Sequence, residues 1–133
     1  MLISTESISL NYVKYSETSI IVKCFTKSDG LKSYLIKGIR SSKKKSLNIG
    51  LFQPLTILEI DANHKNKGNL ESIRSAKISN SYKTIHIDMF KNSIVLFLSE
   101  VLAKSIKEEE KNIELFEFVK KSMIWLDNSE KFS

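Results

Sequence analysis

The sequence predicts an α+β protein: a five-stranded antiparallel barrel of the OB or SH3-like kind over residues 1–80, followed by the first helices of a helical unit over residues 81–133. Three observations lead there. Up to about residue 80, β-branched and aromatic runs of period two alternate with polar turns. No βαβ spacing occurs among them, which favours antiparallel closure over a parallel sheet. From Phe90 onward the apolar residues recur at three and four, the stripe of an amphipathic helix.

The first strand is Leu2 to Tyr15, with Ile8, Leu10, Tyr12 and Lys14 alternating against Ser9 and Asn11. A polar break, Ser16-Glu17-Thr18-Ser19, leads into Ile20 to Thr26, and Ser28-Asp29-Gly30 forms a tight turn with glycine available for positive φ. The returning strand, Leu31 to Ile39, places Leu31, Ser33, Leu35 and Lys37 on one face and Lys32, Tyr34, Ile36 and Gly38 on the other. Beyond a basic loop, Arg40 to Asn48, a fourth strand is expected from Leu51 to Ala62. In it Leu55, Ile57 and the stem of Glu59 oppose Leu58 and Ile60, and Pro54, lacking an amide donor, belongs at an edge or bulge. His64-Lys65-Asn66-Lys67-Gly68-Asn69 is a second basic turn, and Leu70, Ser72, Arg74, Ala76 and Ile78 mark a fifth strand. The helical stripes are Phe90, Ile94, Phe97, Leu98, Val101, Leu102 and, after Glu108-Glu109-Glu110-Lys111-Asn112, Ile113, Phe116, Val119, Met123, Leu126. Two such helices alone leave a wide apolar face uncovered, so the helical unit is expected to be truncated.

Hydrophobic residues make up 41% of the chain and charged residues 27%, the balance of a globular protein. Cys24 is the single cysteine, which excludes an intrachain disulfide and a multi-cysteine zinc site and suits a small buried hydrophobe. The N-terminus lacks the features of a secretion signal, and no run approaches the roughly 18 apolar residues of a membrane span, so a soluble cytoplasmic protein is expected. The net charge of +6 is unevenly placed: residues 1–82 hold 13 Lys and Arg against 6 Asp and Glu, whereas residues 83–133 hold 8 against 9. A positive field concentrated on one module captures polyanions. The first half has no basic amphipathic helix to lie on a membrane, which leaves nucleic acid as the leading partner.

The segment Tyr34-Leu35-Ile36-Lys37-Gly38-Ile39-Arg40-Ser41-Ser42-Lys43-Lys44-Lys45-Ser46 runs from a strand end into a cluster of long cationic donors with hydroxyls between them. Lysine offers phosphate a point charge and arginine a two-pronged grip, while serines fix position. The expected nucleic-acid contacts are Lys37, Arg40, Lys43, Lys44 and Lys45 here, Lys14 and Tyr15 at the end of the first strand, and Lys65 and Lys67 in the second basic turn. Tyr12, Tyr34 and Phe52 are further aromatics able to stack on bases, although core packing competes for each of them. A catalytic reading finds little. His64 and His86 lack partners at metal-ligand spacing, and no hydrolase, phosphate-loop or zinc-protease motif occurs. Glu59 and Asp61 share a strand face, the minimal basis for an alternative reading as a metal-dependent nuclease. A non-enzymatic protein without cofactor is expected. An RNA-binding module of the same barrel type is the other alternative.

These residues resemble the RecO family of DNA repair proteins. The likeness rests on Tyr15-Ser16-Glu17 before Ile20-Ile21-Val22, Phe25-Thr26 and Gly30 at the first turn, Lys37-Gly38-Ile39-Arg40, and Leu51-Phe52-Gln53-Pro54-Leu55. It continues through Gly68-Asn69-Leu70, Ser75-Ala76-Lys77 and the helical Phe97-Leu98-Ser99-Glu100-Val101-Leu102. The resemblance implies an OB-fold followed by a helical domain. It also implies binding of single- and double-stranded DNA, strand annealing, and recombination mediation with RecR, the single-strand-binding protein SSB and RecA, without a catalytic centre. Family chains are about twice as long, so most of the helical domain is expected to be missing here, and with it any zinc cluster or SSB contact that domain carries.

Overall fold

The computed structural model describes residues 1–39, 47–66, 70–106 and 110–130. Five strands and two helices follow one another: β1 (Leu2–Lys14), β2 (Ile20–Thr26), β3 (Gly30–Ile36), β4 (Ile57–Asn63), β5 (Ser72–Asn80), α1 (Met89–Ser105) and α2 (Ile113–Asn128). The antiparallel order is β3-β2-β1-β4-β5. The two edges meet through a parallel bridge between Tyr34 and Glu71, where the Leu35 amide donates to the Glu71 carbonyl at 3.0 Å and the Glu71 amide to the Ser33 carbonyl at 2.9 Å. That contact turns a sheet into the five-stranded OB-type barrel, and the fold class is α+β as expected.

Period-two alternation sorts side chains between two cores. Ile20, Val22, Cys24, Tyr34, Ile36, Leu58, Ile60, Ala62 and Ile73 fill the barrel. Ile8, Leu10, Phe25, Leu31 and Ile57 point the other way, toward the helices, and pack with Val95, Ala103, Phe116, Val119, Met123 and Leu126. Phe25 meets Phe116 edge-on at 5.7 Å, an aromatic pair contributing about 0.5–1.5 kcal/mol beyond its buried area. Cys24 is fully buried, and burial pushes its thiol up to about 12 against a smaller opposing hydrogen bond with Ser7. It is an inert core residue.

Five expectations are corrected. Residues 51–56 do not continue the fourth strand: Ile49–Phe52 is a 3-10 turn, and the chain reverses at Gln53 to Thr56, with Leu55 at φ 59° and the Thr56 amide returning to the Gln53 carbonyl. Pro54 supplies the fixed φ that starts such a turn. Along β1, a bulge between Ser9 and Asn11 breaks the alternation, and beyond it Asn11 to Lys14 are exposed on both faces, so Tyr12 and Lys14 do not face inward with Ile8 and Leu10. In β5 the pairing with β4 shifts between Asp61 and Ala62, which turns Ile73 inward opposite Ala62; Leu70 and Ile78 are exposed.

The largest correction concerns α1. The buried face is Lys91, Val95, Ser99 and Ala103, not the aromatic stripe; Phe97 is 68% exposed. Nearly the whole circumference of α1 is apolar, so periodicity cannot choose a side. The barrel takes the small residues, which allow the helix to approach closely. On α2, Phe116, Val119, Met123 and Leu126 are buried as expected, whereas Ile113 is exposed. Phe90, Phe97, Phe118 and Trp125 thus stay in solvent, Phe118 and Trp125 lining a mainly apolar groove with Ile94, Leu98, Met123 and Leu126. The 133-residue chain is expected to bind a hydrophobic dye and to self-associate by light scattering, and F97S/W125S to lower both. A strictly monomeric, dye-silent chain would contradict this.

Helices and barrel are tied by a buried polar knot. The Asp127 carboxylate accepts the amides of Lys83, Thr84 and Ile85 at 2.8–3.1 Å. The Lys91 ammonium, itself buried, donates to Thr84 Oγ1 at 2.8 Å and to the Asp127 and Ser129 carbonyls at 3.2 and 2.6 Å. Lys91 thereby caps the C-terminal carbonyls of α2, where the helix dipole favours a cation. Among the described residues no helix is long and apolar enough to cross a membrane.

Candidate nucleic-acid interface

Where β3 meets β5 a cleft of about 440 Å³ opens, lined by Leu35, Ile36, Lys37, Leu47, Asn63, Lys65, Leu70, Glu71, Ser72 and Ile73. Five of these residues are aliphatic and five polar or charged, and the cleft's cationic groups are Lys37 and Lys65. These two lie far apart in sequence, and barrel closure brings them to one opening. Lys37 follows the last residue of β3 and is exposed, and Gly38 then turns the chain with φ +72°. A side chain at Gly38 would meet nothing within 4 Å, so the backbone angle, not crowding, calls for glycine, and the surface there stays open.

Lys65 is held by an arrangement that the spacing of charges did not reveal. Glu71, buried, accepts the amides of Lys65 and Asn66 through its two carboxylate oxygens, each at 2.9 Å. Beneath them the buried ammonium of Lys32 on β3 donates to Asn66 Oδ1 at 2.6 Å and lies 3.8 Å from Glu71. Burial disfavours the charged form of Glu71, but the two amides, with Lys32 and His64, outweigh it and hold the carboxyl below its usual value.

Next to this clamp, the buried His64 ring stands between Tyr34 Oη, 2.6 Å from Nε2, and Asp29 Oδ2, 2.8 Å from Nδ1. Each ring nitrogen thus faces one polar partner, Nδ1 the Asp29 carboxylate and Nε2 the Tyr34 hydroxyl. The chain joining β4 to β5 is thus bolted to β3 and to the β2–β3 turn. The signal for His64 and Lys32 was present: each continues the inward alternation of its strand, His64 after Leu58, Ile60 and Ala62, and Lys32 before Tyr34 and Ile36. By sequence, Lys32 falls on the Tyr34 face without a role and His64 in the basic turn.

The remaining expected contacts divide clearly. Lys14 at the C-terminal end of β1 and Tyr15 just beyond it are exposed, Tyr15 at 59%, and neither lines the cleft. Arg40, Lys43, Lys44, Lys45 and Lys67 lie outside the described residues. Tyr34 and Phe52 are fully buried in the barrel and present no face to a base; among the suggested stackers only Tyr12 and Tyr15 reach solvent. Of the carboxylates considered for a nuclease, Asp61 is occupied by the hydroxyls of Ser4 and Ser75, which lower its pKa. Among the described residues no group of three or more His, Cys, Asp or Glu is placed to hold a metal ion.

Residues 1–82 match the family model described as recombination protein O N terminal, and residues 86–132 the one described as recombination protein O C terminal. Over all 133 residues the chain is 51% identical to the DNA repair protein RecO of Flavobacterium psychrophilum and 51% identical to that of Flavobacterium johnsoniae. Identity to the RecO protein of Christiangramia forsetii is 41%. The alignments cover 100% of this chain and 56% of each relative, so the chain spans somewhat over half the length of these curated proteins.

Proposed function

The chain belongs to the RecO family of DNA repair proteins, and from that premise we propose that residues 1–80 are a nucleic-acid-binding domain that holds single-stranded DNA along the β3–β5 cleft. The observation that carries this reading is that Lys37 and Lys65 line one cleft together with aliphatic side chains. OB-type barrels bind oligonucleotides across strands 2 and 3 and the loops between strands 1–2 and 4–5. The cleft lies on the third strand and the fourth-to-fifth loop. Two lysines supply phosphate contacts, while the exposed Leu70 and the half-buried Leu35 and Leu47 offer apolar surface to an unpaired base, which a duplex keeps stacked away.

On this reading binding needs no catalytic step. Residues 81–133 form the opening helices of a helical domain, and the protein acts in the cytoplasm as a recombination mediator that anneals strands and works with RecR, SSB and RecA. The family membership and the names of the relatives support it.

A fluorescence titration with single-stranded DNA, duplex DNA and RNA of equal length tests the proposal. Single-stranded DNA is expected to bind most tightly, with log K falling against log salt at roughly −0.7 per neutralised phosphate. A response that is flat in salt would remove the electrostatic reading. Preference for RNA would shift the assignment to the RNA-binding alternative.

A further inference from the structure

A carboxylate in the wall of a phosphate-binding cleft opposes its ligand. Glu71 is such a group: it lines the same cleft as Lys37 and Lys65, yet it is buried and spends both oxygens on the amides of Lys65 and Asn66. We propose that Glu71 is a positioning residue for the nucleic-acid site, a clamp that fixes the start of the β4–β5 connection so that Lys65 is held at the cleft opening before the ligand arrives. The inference rests on the reading of the cleft as the phosphate site.

Three features of the molecule support the role. The clamp is anchored from below, because Lys32 reaches both Asn66 and Glu71 from β3. It is continuous with barrel closure, since the backbone of Glu71 itself bridges to Ser33 and Leu35. And it holds Asn66 at φ 53°, a conformation that a free loop visits seldom. A lysine displayed on an ordered turn loses less freedom on gripping a phosphate than one on a free loop, so the gain in binding exceeds the repulsion from one partly neutralised carboxylate.

Charge and positioning predict opposite signs for one substitution. Glu71→Gln removes a negative charge from the cleft, and by charge alone it tightens DNA binding. It also sets a side-chain NH2 against a backbone N–H, which opens half of the clamp. The expected result, by anisotropy with a fluorescent oligothymidylate, is binding weaker by about 3- to 10-fold and a salt slope shallower by about 0.7. In a Lys65→Ala background the same substitution is expected to cause no further loss. Asn66→Gly keeps the positive φ and the net charge while cutting the tie to Lys32. It is expected to weaken binding by about 2- to 3-fold, and it decides the matter if the Glu71 variant melts at the assay temperature. Unchanged or tighter binding by Glu71→Gln, or unchanged binding by Asn66→Gly in that case, would overturn the positioning role. If Lys65→Ala nonetheless weakens binding, the cleft remains the phosphate site. No effect from Lys65→Ala would overturn both.

Discussion

Asp127→Ala is expected to lower the unfolding free energy by about 3–4 kcal/mol, most of what a small domain can spare. The carboxylate satisfies three consecutive backbone amides, Lys83 to Ile85, at the point where the barrel hands over to α1. Alanine leaves these donors without an acceptor, and partly or fully buried orphan donors cost about 1–3 kcal/mol each before relaxation. Lys91, buried against the Asp127 backbone carbonyl, would keep its hydrogen bonds. Chemical denaturation would measure the loss; a change under 1 kcal/mol would mean that water replaces the carboxylate and that the knot does not hold the helices to the barrel.

The same residue carries a pH signature. Burial works against ionised Asp127, but the amides of Lys83, Thr84 and Ile85 overcome it and set the carboxyl below its usual value. A carboxyl depressed in the folded state stabilises above its unfolded pKa, about 3.9 for Asp, and loses that contribution as pH falls through the lower folded value. Stability is therefore expected to hold from neutral pH to about 5 and to decline below about 4, with a smaller decline in Asp127→Asn.

Removing Lys37 and Lys65 together is expected to weaken single-strand binding by about 30-fold. Hydrogen bonds to charged groups contribute about 1.5–3 kcal/mol, and exposure to solvent discounts each ammonium–phosphate contact to about 1 kcal/mol. Two such losses give the figure, since 1.4 kcal/mol is tenfold. Lys43→Ala, Lys44→Ala removes the same charge from the basic loop and is expected to cost less, because neighbouring cations replace one another there. Equal losses from the two pairs would favour a diffuse field over a defined cleft.

Much of this was legible in the residues because alternation is local. The two faces of β3 and β4 follow from period two, and the hairpin at Asp29-Gly30 from glycine's tolerance of positive φ. What depended on choice between faces was not legible. On α1 the aromatic and small-residue sides are both apolar, and only the shape of the barrel selects Val95, Ser99 and Ala103. Residues 51–56 have strand-like composition, yet Pro54 and the positive φ of Leu55 make a turn that one sequence cannot announce. At the candidate site, charge named Lys37 and Lys65 as phosphate contacts, but their meeting depends on the closure at Tyr34 and Glu71, a long-range bridge with no local signature. Lys32, His64 and Glu71 were hidden for a related reason: polar residues read as solvated until their partners are known.

The central claim is a location, and backbone amide shifts measure location directly. In a 15N-labelled sample titrated with a short oligothymidylate, the largest changes are expected at Leu35, Lys37, Lys65, Glu71 and Ser72, the wall of the cleft, with little at Lys104 on α1 or Lys121 on α2, both exposed. Changes centred instead on the outer face of β5 at Arg74 and Lys77, or on the helices with the cleft silent, would contradict the account.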